Sequence, residues 1–67
     1  MLYSVSIYFR KEKVMARTTF KGLPGAEAFF ARQLQNPPPG PVEMWLRQQA
    51  GVKEEYLLNH CRLSPRR

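Results

Sequence analysis

Two short segments near the start of the chain alternate apolar and polar side chains with a period of two. Residues 2–9 (LYSVSIYF) and 14–20 (VMARTTF) are rich in β-branched and aromatic types, which favour extended strands. Antiparallel pairing of Phe9 with Val14 places the apolar positions of both segments on one side, and a shift of one residue would undo this. We therefore predict an N-terminal β-hairpin in this register. Lys11-Glu12 is not the Asn-Gly type of two-residue turn, so we expect a four-residue connection.

The residues that follow the second segment change to a helical spacing. Residues 23–25 (Leu-Pro-Gly) interrupt the strand, and over 26–35 the apolar side chains recur at i, i+3, i+4 and i+8. Glu27 would lie in the first turn, where the helix dipole favours an acid. Asn36 and the prolines after it end the helix, and residues 37–41 form a proline-rich corner.

Residues 42–63 fit two different structures. As helices they would begin with Pro41 at the first helical position, and Gly51 would end the first helix. As strands, alternate residues of 42–46 would face one side, and residues 55–61 would return as a fourth strand. Most of the residue types here are strong helix formers, which favours the helical interpretation.

We therefore predict an α+β fold in which the N-terminal antiparallel hairpin packs on an amphipathic helix. This ββα unit would be followed by a helical C-terminal third at 42–63 and a basic tail at 64–67. A ββαββ fold, with a second hairpin in place of the C-terminal helices, remains the alternative.

The small size of the chain limits how it can be stabilised. Its 67 residues form one domain that buries only about 60% of the surface of the unfolded chain. Cys61 is the only cysteine, which excludes an internal disulfide. His60 and Cys61 are too few for a zinc site, and we expect neither a metal nor a cofactor. A well-packed monomer or an oligomer remains, and we favour a homodimer. The interface candidates are residue types enriched at protein contacts: Met44, Trp45 and Tyr56.

The single free thiol and the lack of a long apolar run bear on the compartment. A free cysteine is typical of a reducing compartment. The longest apolar-rich run, 2–9, is much shorter than the roughly 20 residues that span a bilayer. We predict a cytoplasmic protein that does not bind membranes.

The formal net charge of +6 is concentrated near the two ends of the chain. Residues 1–21 hold five bases and one acid, residues 62–67 hold three arginines, and residues 22–61 have a net charge of −1. Such a distribution raises the association rate with polyanions. A sheet face that combines a tyrosine with cations is also typical of proteins that bind single-stranded nucleic acid.

The leading prediction is a small non-enzymatic protein that binds nucleic acid, single-stranded in preference, through the hairpin and the tail. Tyr8 would stack on a base and the cations would contact phosphates. The predicted binding residues are Tyr8, Arg10, Lys11, Lys13, Arg17, Lys21, Arg62, Arg66 and Arg67.

Two other functions remain open. The first is a protein interaction module, such as an inhibitor, adaptor or regulatory subunit, whose cations dock on an acidic partner. The second, more remote, is a small ribonuclease toxin with His60 as general base and Arg62 beside it. His60 and Cys61 cannot easily form a catalytic pair, because neighbouring side chains on a helix or a strand point in different directions. We therefore predict no catalytic residues.

Overall fold

The computed structural model describes residues 2–64, which form a four-stranded antiparallel sheet and one helix. The elements in chain order are β1 (Leu2–Phe9), β2 (Val14–Phe20), α1 (Leu23–Gln35), β3 (Val42–Gln49) and β4 (Glu55–Leu63). The strand order across the sheet is β2-β1-β3-β4. β1 and β3 are therefore the central strands, and β2 and β4 are the two edges. Arg66 and Arg67, two of the predicted binding residues, lie outside the described residues.

The N-terminal hairpin has the predicted register. Phe9 pairs with Val14, and Tyr3 at the other end pairs with Phe20. The connection has the expected four residues, and it is closed by a hydrogen bond of 2.7 Å from the Lys13 amide to the Phe9 carbonyl. Lys13 has φ 59°, a left-handed conformation that lets the chain re-enter β2. The alternation of apolar residues was sufficient to fix this pairing.

The helix begins three residues before the predicted start. α1 starts at Leu23, with Pro24 in its first turn, where the missing proline N–H has no helical partner to lose. The first turn therefore contains no acidic residue, and the position predicted for Glu27 was wrong. The end at Gln35, with Asn36 as the C-cap, agrees with the prediction. In the corner that follows, Gly40 has φ +87°, which a residue with a side chain rarely adopts.

The prediction of a helical C-terminal third was wrong, because residues 42–63 form β3, a turn and β4. β3 pairs with β1 on one side and with β4 on the other. Val42, Met44 and Leu46 are each at most 3% exposed. Their alternation with a period of two therefore indicated the structure correctly, whereas the helix propensity of the segment did not. Pairing with two neighbouring strands overrides a propensity of a few tenths of a kcal/mol per residue. The order ββαββ is the one left as the alternative.

The hydrophobic core lies between α1 and one face of the sheet. It consists of residues from all elements except the edge strands: Val5, Ile7, Ala26, Phe30, Val42, Met44 and Leu46. Within residues 2–64, α1 packs against β1, β2 and β3 but does not pack against β4. This helix is neither long enough nor apolar enough to cross a membrane. One face of the sheet is thus covered over three strands, and the opposite face has no element over it in the described residues.

Two methionines provide a matched test of this packing. Met44 is 0% exposed in the core, whereas Met15 on β2 is 53% exposed. We expect Met44→Ala to lower the free energy of unfolding by about 2–5 kcal/mol and Met15→Ala to change it by less than about 0.5 kcal/mol. Urea denaturation followed by circular dichroism measures both, and Met44→Leu should recover most of the loss. Equal losses for the two alanine variants would show that Met44 is not in the core.

Candidate nucleic-acid interface

The sheet face opposite α1, called the open face below, carries most of the chemistry of this chain. Side chains alternate between the two faces along each strand. The registers place Leu2, Gln49 and Glu55 on the open face at one end of the sheet, and three further residues from each strand beside them. They are Ser4, Ser6 and Tyr8 from β1; Met15, Arg17 and Thr19 from β2; Glu43, Trp45 and Arg47 from β3; and Leu57, His60 and Arg62 from β4. The open face therefore combines three arginines, three aromatic rings and small hydroxyl residues.

Two serines at the centre of the open face are covered by arginine side chains. Ser4 and Ser6 are only 5% and 3% exposed, although no helix lies over them. The Arg17 guanidinium donates to the Ser4 hydroxyl and the Arg47 guanidinium to the Ser6 hydroxyl, each at 3.5 Å. Because a serine is small, the long arginine side chains can lie flat along β1. Two guanidinium groups are thereby held over adjacent positions of one strand.

Arg17 also joins the two edge strands across the open face. Its Nη2 lies 3.2 Å from Oε2 of Glu55 at the start of β4. The Arg17 and Glu55 side chains are 50% and 44% exposed, so this ion pair contributes at most about 1 kcal/mol. A phosphate oxygen could replace the Glu55 carboxylate at little cost.

A chain of stacked and hydrogen-bonded groups crosses β3 and β4. The rings of Trp45 and His60 stack with their centroids 5.5 Å apart and an interplanar angle of 21°. The guanidinium carbon of Arg47 lies 5.4 Å from the centre of the Trp45 ring. His60 Nε2 lies 2.6 Å from Glu43 Oε2 and shares a hydrogen bond with it. Each group therefore restricts the next, and Arg47 is held in place from both Ser6 and Trp45.

The predicted cations divide among three places. Arg17 and Arg62 lie on the open face, as does Tyr8, which is paired with Met15 on one side and with Glu43 on the other. Lys11 and Lys13 are exposed in the β1–β2 turn, and Lys21 is exposed just after β2, at the opposite end of the sheet.

Arg10 has a different environment from the other predicted cations. Its Nη2 donates to the Leu63 carbonyl at 3.1 Å and to the Ser64 hydroxyl at 3.3 Å. Its Nε is buried and has no hydrogen-bond partner within residues 2–64. Arg10 therefore fastens the end of β4 to the hairpin turn. This contact brings the basic turn between β1 and β2 beside the last described residue, Ser64.

The three interface candidates also differ in position. Met44 is fully buried in the core, and it has no surface to offer a partner. Trp45 is half-buried on the open face, and Tyr56 is 52% exposed on β4. Trp45 and Tyr56 are thus accessible, but they belong to different surfaces.

His60 and Cys61 lie on opposite faces of β4. His60 pairs with Trp45 on the open face, and Cys61 pairs with the core residue Met44. A thiolate–imidazole pair needs direct contact between the two groups, and this geometry prevents it. Residues 2–64 contain no group of three or more His, Cys, Asp or Glu side chains that could hold a metal ion.

Comparison of the chain with protein-family models, with curated proteins and with solved structures found no match. The open face is therefore the feature of this chain that bears on its function.

Three residues of this face were not predicted from the sequence to belong to it. Arg47 was not among the predicted binding residues, Glu43 had no assigned role, and Trp45 was expected at a protein interface. The helical interpretation of 42–63 scattered these residues around a helix. The available signal was the alternation of Val42 with Met44, because it places every second residue, starting with Glu43, on the opposite side.

The separation of His60 from Cys61 can be tested by thiol chemistry. Because the imidazole cannot reach the sulfur, we expect His60→Ala to leave the rate of Cys61 modification by a disulfide reagent within about twofold of the original rate. The released chromophore reports the rate in a stopped-flow absorbance measurement. A decrease of about tenfold or more in the folded variant would contradict the placement of the two side chains.

Proposed function

We propose that the protein binds single-stranded nucleic acid on the open face, with no chemical step. The observation that carries the proposal is the placement of Arg17 and Arg47 over Ser4 and Ser6, next to aromatic rings, on an uncovered sheet face. The net charge of +6 supports it, since charge attracts polyanions before specific contacts form.

The arginines are suited to phosphate groups. A guanidinium presents planar, paired donors that match phosphate oxygens. Arg17 and Arg47 each make a long, weak hydrogen bond of 3.5 Å to a serine, and Arg17 also donates to the exposed Glu55 carboxylate at 3.2 Å. Both guanidinium groups keep further N–H donors for a ligand. Arg62 lies on the same face, opposite Glu43. Lys11 and Lys13 extend the positive charge towards the β1–β2 turn.

The aromatic residues favour a single strand over a duplex. Tyr8 is half-buried on the open face, where an unstacked base can lie on its ring. Bases in a duplex are already stacked on one another and cannot make this contact. The Trp45 ring is stacked on His60 and lies beside Arg47, so its role in the proposal is to hold Arg47 towards the ligand.

A second candidate, a ribonuclease, is favoured by one specific observation. The hydrogen bond of 2.6 Å between His60 Nε2 and Glu43 Oε2 orients an imidazole on the face proposed to bind RNA. Its other ring nitrogen could accept the proton of a ribose 2′-hydroxyl, whose oxygen would attack the adjacent phosphorus. The bond from phosphorus to the 5′-oxygen of the next nucleotide would break, the imidazolium would return its proton to that oxygen, and a 2′,3′-cyclic phosphate would remain. Arg62 or Arg47 could stabilise the charge on the phosphate oxygens. This mechanism requires RNA and cannot act on DNA.

Binding can be measured through the single tryptophan and a labelled oligonucleotide. We expect single-stranded DNA and RNA to change the fluorescence of Trp45 and to bind more tightly than a duplex. With three arginines on phosphates, log K should decrease with log salt with a slope of about −2, since each phosphate contact on a single strand contributes about −0.7. No binding at about 50 mM salt to any oligonucleotide would end the proposal.

Matched variants locate the site. Arg47→Ala should reduce the salt slope by about 0.7 and weaken binding. Arg32→Ala, which removes an exposed arginine from the last turn of α1, should change neither. Tyr8→Leu should weaken binding by about tenfold or more, since stacking contributes about 1–3 kcal/mol per base. Its control, Tyr56→Leu, removes an exposed tyrosine from β4. Equal effects of Arg32→Ala and Arg47→Ala would show that binding depends on total charge and not on the open face.

The same oligonucleotides distinguish binding from cleavage. If the second candidate is correct, labelled RNA is shortened, DNA of the same sequence is not, and His60→Ala abolishes shortening without abolishing binding. RNA that stays intact while it is bound supports the binding protein. An acidic partner that is retained after nuclease treatment, with no oligonucleotide affinity, would support the protein interaction module instead.

A further inference from the structure

The edge strand β4 has an unusual amount of exposed apolar surface. Tyr56, Leu57 and Leu58 follow one another along the strand and are 52%, 57% and 43% exposed. An edge strand also has backbone donors and acceptors without partners in the sheet, which makes it a template for another strand. β4 extends over nine residues, Glu55–Leu63, so this template is long.

The helix does not cover β4, and an open groove remains beside the strand. The groove has a volume of about 230 Å³, and its lining includes Leu34 and Ala31 of α1, Leu46 of β3 and Leu58 of β4. Leu34 is itself 41% exposed. The apolar layer between α1 and the sheet is therefore incomplete on the side of β4, next to the unpaired edge of this strand.

A register shift in β4 determines how a second copy could pair with it. The β3–β4 ladder shifts between Leu46, which pairs with Asn59, and Arg47, which pairs with Leu57, so Leu58 is an extra residue. After this shift Glu55 and Leu57 lie on the open face with His60 and Arg62, and Tyr56 lies on the helix side with Cys61. Odd and even positions thus exchange faces at Leu58.

Side chains that lie opposite each other in an antiparallel pair must be on the same face of the sheet. When β4 pairs with β4 of a second copy related by a two-fold axis, one register meets this condition along the whole strand. In that register the two-fold axis passes between Leu58 and Asn59, both of which line the groove on the helix side. The pairs between the two copies are Glu55 with Arg62, Tyr56 with Cys61, Leu57 with His60 and Leu58 with Asn59. A shift of one residue in either direction would oppose side chains from different faces.

We propose that two copies of the chain associate through their β4 strands in this register, forming one eight-stranded antiparallel sheet. The charges are complementary, because each Glu55 carboxylate lies opposite an Arg62 guanidinium of the other copy. The exposed apolar side chains of each β4 strand would be placed against the other copy. Both α1 helices would then lie on one side, and the two open faces would join into one surface on the other side.

The other edge strand excludes the equivalent association. A two-fold pairing of β2 over its whole length would place Arg17 opposite its own copy and Lys13 opposite Lys21. All of these are like-charge pairs, which destabilise a sheet. Cations on an edge strand are a common protection against pairing. The one arginine of β4, Arg62, would instead lie opposite Glu55 of the other copy in the proposed register. One edge of the sheet, β4, can therefore pair with a second copy, whereas the other edge, β2, cannot. Pairing at one edge alone gives a closed dimer, and a continuous fibre would need both edges to pair.

Disulfide cross-linking tests the register directly. In the proposed dimer, Tyr56→Cys places a new thiol opposite Cys61 of the other copy, with Cα atoms about 5 Å apart, within the range that a disulfide requires. Within one chain the same two positions are about 16 Å apart along the strand. Under oxidised glutathione we expect covalent dimers with two disulfides each, seen by non-reducing electrophoresis and intact mass.

Three comparisons make this result specific. The double variant Tyr56→Cys with Cys61→Ser should give no such product, and the original chain, whose Cys61 residues would lie about 16 Å apart, should give none. Leu57→Cys, on the other face, should also fail. Cross-linking in any of these controls at the same rate, or no cross-linking of Tyr56→Cys, would overturn the proposed register.

Equilibrium sedimentation tests the association and its charge complementarity. We expect the original chain to be dimeric, with Arg62→Glu raising the dissociation constant by about tenfold, because two opposite-charge pairs become like-charge pairs. Adding Glu55→Arg to this variant should restore most of the affinity. Arg32→Glu, the same charge change on α1, is the matched control. A chain that stays monomeric at about 100 μM, where even weak specific dimers form, would overturn the proposal.

Discussion

The fold depends on the placement of β1 between two antiparallel neighbours in matching registers. Ile7 faces Ala16 on one side and Met44 on the other, and Val5 faces Thr18 and Leu46. Because opposed residues share a face, these two ladders assign every side chain of β2 and β3 either to the helix side of the sheet or to the open face. The position of α1 follows, since it covers the side that carries the aliphatic residues. The composition of the open face follows from the same assignment.

The N-terminal half could be predicted because its information is local. The alternation in residues 2–9 and 14–20 fixed the hairpin register, and Asn36 before three prolines fixed the end of α1. The start of α1 was missed because a proline was taken as a strand breaker, whereas the first turn of a helix accepts it. In each case the deciding atoms lie within a few residues of one another.

The C-terminal half could not be predicted in this way. β3 is made of good helix formers, and what makes it a strand is pairing with β1, about forty residues earlier in the chain. The intrinsic propensity of a residue contains no information about a pairing partner so far away in the chain. The site was affected in the same way. Tyr8 and Arg17 were expected on one face because the hairpin was correct, but Trp45 and Arg47 could join them only after 42–49 was known to be a strand.

Arg10, Arg17 and Arg47 have the same side chain and different roles, which sequence charge alone does not distinguish. Arg10 holds the end of β4 against the hairpin turn through hydrogen bonds to Leu63 and Ser64. Because these bonds occupy its guanidinium, Arg10 is the least available of the three arginines for a ligand. Arg17 and Arg47 lie over small serines, so their charge is ordered and still accessible. The size of the β1 side chains on the open face thus decides which guanidinium groups are available to a ligand. A larger residue at Ser4 or Ser6 would lift these groups away from the sheet and remove their shared orientation.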